Sequence, residues 1–119
     1  MEKKIVCAGL CEGRHPLPVD EYVYREISSV SDLDTLDWVA CDFIAAHSLG
    51  RGAGELRLYV TGLTVALVAV INCCCRNGVN LTLLHFDRES GQFFPQPVET
   101  RVDCDFVAEG GYSGYSARC

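Results

Sequence analysis

The stretch from Glu55 to Val98, ELRLYVTGLTVALVAVINCCCRNGVNLTLLHFDRESGQFFPQPV, constrains this chain more than any other, because its apolar period changes twice within it. Leu56–Val60 reads as a strand, Leu63–Arg76 as a helix and Leu81–Phe86 as a second strand. Asn77 and Gly78 supply a left-handed C-cap between helix and strand. The interval has the length of a crossover connection, so a parallel β-α-β unit is predicted. The helix is apolar almost all round, with Val65 to Ile71 unbroken, and must therefore be covered on two sides. In so small a domain the second cover is expected to be another subunit, which predicts a homo-oligomer.

The flanking segments complete a small α/β domain. Lys4–Leu10 (KIVCAGL) reads as a first strand, stopped by Gly9 and the loop GRHPLP at Gly13–Pro18. Tyr22–Ile27 alternates tyrosine with charge and reads as a half-exposed strand, although Asp20 and Glu21 could equally open a short helix there. Ser31 is the expected N-cap of a helix whose stripe carries Leu33, Leu36, Val39, Ala40, Phe43, Ile44 and His47, ending in the GRGAG loop. Asp32, Asp34 and Asp37 read as a solvated acidic face suited to the positive end of its dipole. Arg88–Gly91 has turn composition, and Pro95 and Pro97 mark Gln92–Val98 as an edge strand closing a terminal hairpin. Val102–Val107 reads as a last strand, and 108–119 as a Gly/Ser/Tyr tail, mobile unless a ligand or partner orders it. The expected architecture is one α/β domain over 1–107: a small sheet with a β-α-β crossover, two main helices and a hairpin. A chain of 119 residues, 49% of them hydrophobic, suffices for one core.

A formal charge of −6 repels nucleic-acid phosphates and anionic headgroups, which argues against polymeric nucleic acid and membrane surfaces as partners. A small anionic nucleotide needs only two or three well-placed donors and stays possible. The longest largely apolar stretch, Leu63 to Ile71, interrupted only by Thr64, is roughly half of what a bilayer requires, and the N-terminus is too short in apolar residues for a signal peptide. A cytoplasmic location is expected. The eight cysteines are then expected to be reduced and mostly small buried hydrophobes. Cys73, Cys74 and Cys75 project about 100° apart on a helix, and Cys7 and Cys11 lack the spacing of a zinc knuckle, so no metal and no cofactor are expected.

Candidate chemistry gathers where strands end. Thr61, Gly62 and Thr64 lie where a strand hands over to a buried helix, and free amides with the helix dipole favour an anion there; the alternative is a tight turn capped by Thr64. His85 and Asp87 share one face of the next strand at its carboxyl end. Arg88 offers a phosphate donor, Phe86 a ring for stacking a base, and Arg57 a further cation on the neighbouring strand. His85 with Asp87 could also act as an acid/base pair, but no nucleophile elbow, P-loop, dinucleotide fingerprint or metal cluster accompanies them. No residue is assigned a catalytic role. Arg14 and His15 read as a surface pair in a loop, and the helix dipole accounts for His47.

The segments AGLCEGRHPLP, LYVTGLTVALVAVIN and LTLLHFDRESGQFFPQ together resemble phage-encoded proteins of the first Thoeris anti-defence family. The resemblance covers most of residues 5 to 98. It implies a non-enzymatic, oligomeric sponge that sequesters cyclic ADP-ribose isomers made by bacterial immune TIR enzymes, and in some members cyclic oligonucleotides. The rival expectation is a small ring-nuclease-type phosphodiesterase that cleaves cyclic oligonucleotides with His85 as acid/base; a protein-interaction module is a third.

Overall fold

The computed structural model describes residues 4–13 and 16–100. Its elements are β1 (Lys4–Cys11), β2 (Tyr22–Tyr24), α1 (Leu33–Ala46), β3 (Gly54–Tyr59), α2 (Thr64–Asn77), β4 (Asn80–Asp87) and β5 (Gln92–Val98). The strands form one sheet in the order β2-β1-β3-β4-β5, parallel except for the antiparallel β4–β5 pair. This is the mixed α/β fold that the periodicity predicts, with β3-α2-β4 as its parallel crossover and β4–β5 as its hairpin.

Both helical crossovers, β2-α1-β3 and β3-α2-β4, advance the chain across the sheet in the same direction. Right-handed connections then put both helices on the same face, where they pack against each other. The core fills the space between. Ala8 and Leu10 of β1, Leu56 and Leu58 of β3, and Leu81 and Leu83 of β4 alternate onto that face at period two and are buried. Leu36, Ala40 and Ile44 of α1 and Ala66, Val70, Cys73 and Cys74 of α2 meet them at helical spacing.

α1 of the same chain supplies cover for α2 beyond the sheet, and Val65 and Val68 stay exposed. Two expectations need correction. The N-cap of α1 is Asp32, not Ser31: its carboxylate accepts from the Thr35 amide at 3.2 Å and the Thr35 hydroxyl at 2.8 Å. A charged acceptor outcompetes a hydroxyl at the positive end of the dipole. The strand from Tyr22 stops at Tyr24 instead of Ile27, because β1, its partner among the described residues, ends at the Cys11–Tyr24 pairing. Arg14 and His15, the strand expected at Val102–Val107 and the tail lie outside the described residues.

No helix among the described residues is long and apolar enough to cross a membrane. Both sheet edges are blunted. β2 has only three residues, and Pro95 and Pro97 lack the amides that an added strand would need along β5. Because both helices lie on one face, the opposite face of a largely parallel sheet carries no helix among the described residues, and the β1–β2 connection covers it only where Leu17 and Tyr22 close over Gly9.

Candidate functional site

From β1 the chain steps sideways to β2, and every later strand lies on the other side of β1. The connections leaving the carboxyl ends of β1 and β3 therefore diverge, which opens the crevice where ligands of such sheets bind. Gly9 lets the first connection fold tightly over β1. A Cβ there would lie 2.6 Å from the Tyr22 ring and 3.0 Å from Leu17.

On the β3 side of the crevice stand Thr61, Gly62 and Thr64. Val60 still pairs with β4, its amide donating to the Leu84 carbonyl at 3.0 Å, and the chain then turns, with the Leu63 amide on the Thr61 carbonyl at 2.8 Å. Leu63, extended at φ −97° and ψ 92°, is the N-cap, and no side chain among the described residues caps the first turn of α2. Thr64 is the first helical residue rather than the cap, so the alternative of a Thr64-capped turn is not what the chain adopts. The contrast with α1, whose first turn is closed by Asp32, lies entirely in the cap residue. A Cβ at Gly62 would meet nothing within 4 Å, so this side of the turn is open.

The remaining candidates divide between two faces. His85 and Asp87 share the helix-side face of β4 as expected, but each has its own partner. His85 Nε2 lies 2.7 Å from Gln96 Oε1, its ring stacks obliquely on Phe94 at 5.4 Å, and Asp87 Oδ1 accepts from the Glu89 amide at 3.2 Å. Arg88 is exposed in the hairpin turn at the same end of the sheet. Arg57 and Phe86 project from the helix-free face. The Arg57 guanidinium donates to Glu55 at 3.3 Å, and Phe86 joins an edge-to-face cluster with Phe93 and Tyr59. The structure thus gathers Thr61, Gly62 and Thr64 at one edge, sets Asp87 and Arg88 one strand away at that edge, and separates Arg57 and Phe86 from them by the sheet. The chain matches no protein-family model, no curated protein and no solved structure.

Geometry alone therefore ranks the concavities. Beside the start of α2 a groove of about 480 Å³ runs between the helices, lined by Leu33, Asp34, Asp37, Thr64, Val65 and Val68 among others. One of its carboxylates, Asp37, is tied to Arg76 at 2.6 Å, and that hydrogen bond holds the guanidinium above its ordinary pKa. A larger concavity, about 680 Å³, lies at the opposite end against Ser48, Arg51, Arg76 and Gly78. There the Arg51 and Gly52 amides already donate to the Asn77 and Gly78 carbonyls at 2.6 and 2.7 Å, and the helices present their negative ends. The helix dipoles favour an anion at the helix starts and oppose one here, while the charged linings run the other way, with Asp34 and Asp37 in the groove and Arg51 and Arg76 in this concavity. Among the described residues no cluster of three or more His, Cys, Asp or Glu side chains could hold a metal ion. Sequence reasoning missed the left-handed Arg51 at φ 58°, which no local motif announces, and the contact of Cys41 with Cys73, which joins residues on two helices.

Proposed function

We propose that this chain binds a small phosphate-bearing nucleotide at the carboxyl edge of β1 and β3 and sequesters it without turning it over. The carrying observation is the start of α2, where an apolar cap leaves the first turn without a capping side chain among the described residues, at the divergence of two connections. Arg88, exposed at the same edge, can reach toward a second phosphate. Binding is favoured over hydrolysis because His85 and Asp87 are engaged with different groups instead of with each other. The resemblance noted in the sequence points to an immune messenger, a cyclic ADP-ribose isomer or a cyclic oligonucleotide, as the ligand held. The test is to incubate the full chain with each messenger, denature it with heat and chromatograph the supernatant. Intact messenger recovered in proportion to protein is the expected result. A cleaved product would establish the phosphodiesterase instead, and messenger that never associates with the protein would reject the site.

The sponge is proposed to be a homo-oligomer joined through the helix-free face of the sheet. Parallel sheets are normally covered on both faces, and here Ile5 is 48% and Phe86 54% exposed on the helix-free one. A second copy suits this surface because Arg57 and Glu55 stand two apart on the central strand and face the same way. A two-fold axis near them lets each arginine meet the partner copy's glutamate. Sedimentation should show a dimer or larger species for the parent and a folded monomer for Phe86→Asp. Val68→Asp, on the helix layer, should leave assembly intact. Dissociation by Val68→Asp alone would move the interface to the helices, and a monomeric parent would reject it.

A further inference from the structure

We propose that Cys41 and Cys73 form an oxidative modification site between the two helices, at which a hydroperoxide oxidises Cys41 and Cys73 then closes a disulfide. The two sulfurs lie 2.8 Å apart, one on α1 and one on α2. That leaves about 0.8 Å to travel to a disulfide bond of about 2.0 Å. Each sulfur also has its own nitrogen donor. Arg76 Nη2 reaches Cys41 Sγ at 3.3 Å, and Asn77 Nδ2 reaches Cys73 Sγ at 3.4 Å while also donating to the Cys73 carbonyl at 2.8 Å. Two N–H donors, one of them a guanidinium, suit sulfur carrying negative charge and oppose a metal cation at the same place.

Exposure assigns the order of events. Cys41 is partly exposed and open to a small oxidant, whereas Cys73 is fully buried. Burial, followed by the hydrogen bond to Cys41, pushes the Cys73 thiol far up, which keeps Cys73 protonated and leaves the first attack on the oxidant to Cys41. In the first step the Cys41 thiolate attacks a peroxide oxygen, the O–O bond breaks, and Cys41 becomes a sulfenic acid as the alcohol or water leaves with the thiol proton. In the second the Cys73 sulfur attacks the Cys41 sulfur, the S–O bond breaks, and water leaves with the Cys73 proton. Two thiols and one hydroperoxide give one disulfide, one alcohol (water from hydrogen peroxide itself) and one water.

The product ties α1 to α2 across β3, removing loop-closure entropy from the unfolded chain, so the melting temperature should rise by about ten degrees or more. The experiment takes the reduced full chain, adds about one equivalent of hydrogen peroxide, and maps a non-reducing digest by mass spectrometry. Expected are a Cys41–Cys73 cross-link in preference to any involving the exposed Cys7, the upward thermal shift, and reversal of both by dithiothreitol. Cys73→Ser should stop the reaction at a Cys41 sulfenic acid captured by a 1,3-diketone probe, and Arg76→Gln should slow Cys41 oxidation several-fold. Cys41→Ser should give neither cross-link nor thermal shift. A Cys41 that stays reduced while Cys7 is consumed, or that pairs with any cysteine other than Cys73, overturns the assignment.

Discussion

Above about pH 9 the fold is expected to lose stability steeply, with most of it gone by about pH 11. Cys73, Cys74 and Tyr24 are 0%, 0% and 2% exposed, and burial is the largest cause raising all three pKa values. Cys74 is pushed up to about 12 from 9.0. Tyr24 also donates to the Leu36 carbonyl at 2.6 Å, a bond that only the protonated phenol can make. In the unfolded chain the thiols release protons near 9.0 and the phenol near 10.0. Folded pKa values therefore exceed unfolded ones. Their contribution is complete below the unfolded values and is lost as pH rises toward the folded ones, because the unfolded state then binds fewer protons. Each group costs about 1.4 kcal/mol per pH unit across that window. Two thiols over about two units amount to about 5 kcal/mol, comparable with the whole stability of a small domain. Denaturant midpoints followed by circular dichroism from pH 7 to 11, in reductant, would show this decline, and Cys74→Ala should flatten its slope by roughly a third. A midpoint constant to pH 11 would mean that these groups ionise without leaving the core.

Thr64→Glu is expected to weaken nucleotide binding by about a hundredfold or more while leaving the fold intact. Thr64 is exposed in the first turn of α2, so the substitution removes no core packing. The new carboxylate sits at the positive end of the helix and should add about 0.3–1 kcal/mol of stability. A phosphate about 5 Å away would be repelled by about 3 kcal/mol at an effective dielectric constant of about 20. Stability and affinity thus move in opposite directions, which a merely damaged fold cannot produce. Arg88→Ala should cost about tenfold through loss of a charge-assisted bond. Arg51→Ala, at the far end of the sheet, should cost nothing. Calorimetry with the messenger that survives the incubation test measures all three, and parental affinity in Thr64→Glu would place the ligand elsewhere.

Legibility followed the range of the interactions. Period-two alternation in Leu56–Val60 and Leu81–Phe86, the helical stripes, and the prolines of β5 depend on neighbours a few residues away, so those elements could be read directly. Gly78 at φ 67° is the same kind of signal, since a glycine after a helix relieves the Cβ clash of a left-handed cap. The location of Thr61, Gly62 and Thr64 at a strand-to-helix junction was also local and legible. Whether Thr64 caps the helix or leaves its first amides free was not, because that depends on where the helix starts, and the cap is Leu63.

What the tertiary structure decided concerns groups far apart in sequence. That α1 would cover α2 depends on two crossovers advancing in one direction, and the sequence does not say that β2 pairs with β1 while β3 returns to its other side. That arrangement places Arg57 and Phe86 behind the sheet from the α2 terminus, a separation that strand parity determines only once the covered face is known. Cys41 and Cys73 are 32 positions apart and meet only because their helices pack. Sequence by itself determined the elements, their order and the parallel crossover, because backbone sterics and apolar period act within one element. Tertiary packing determined which surfaces face each other, because sheet order and helix placement are settled by burial over the whole chain.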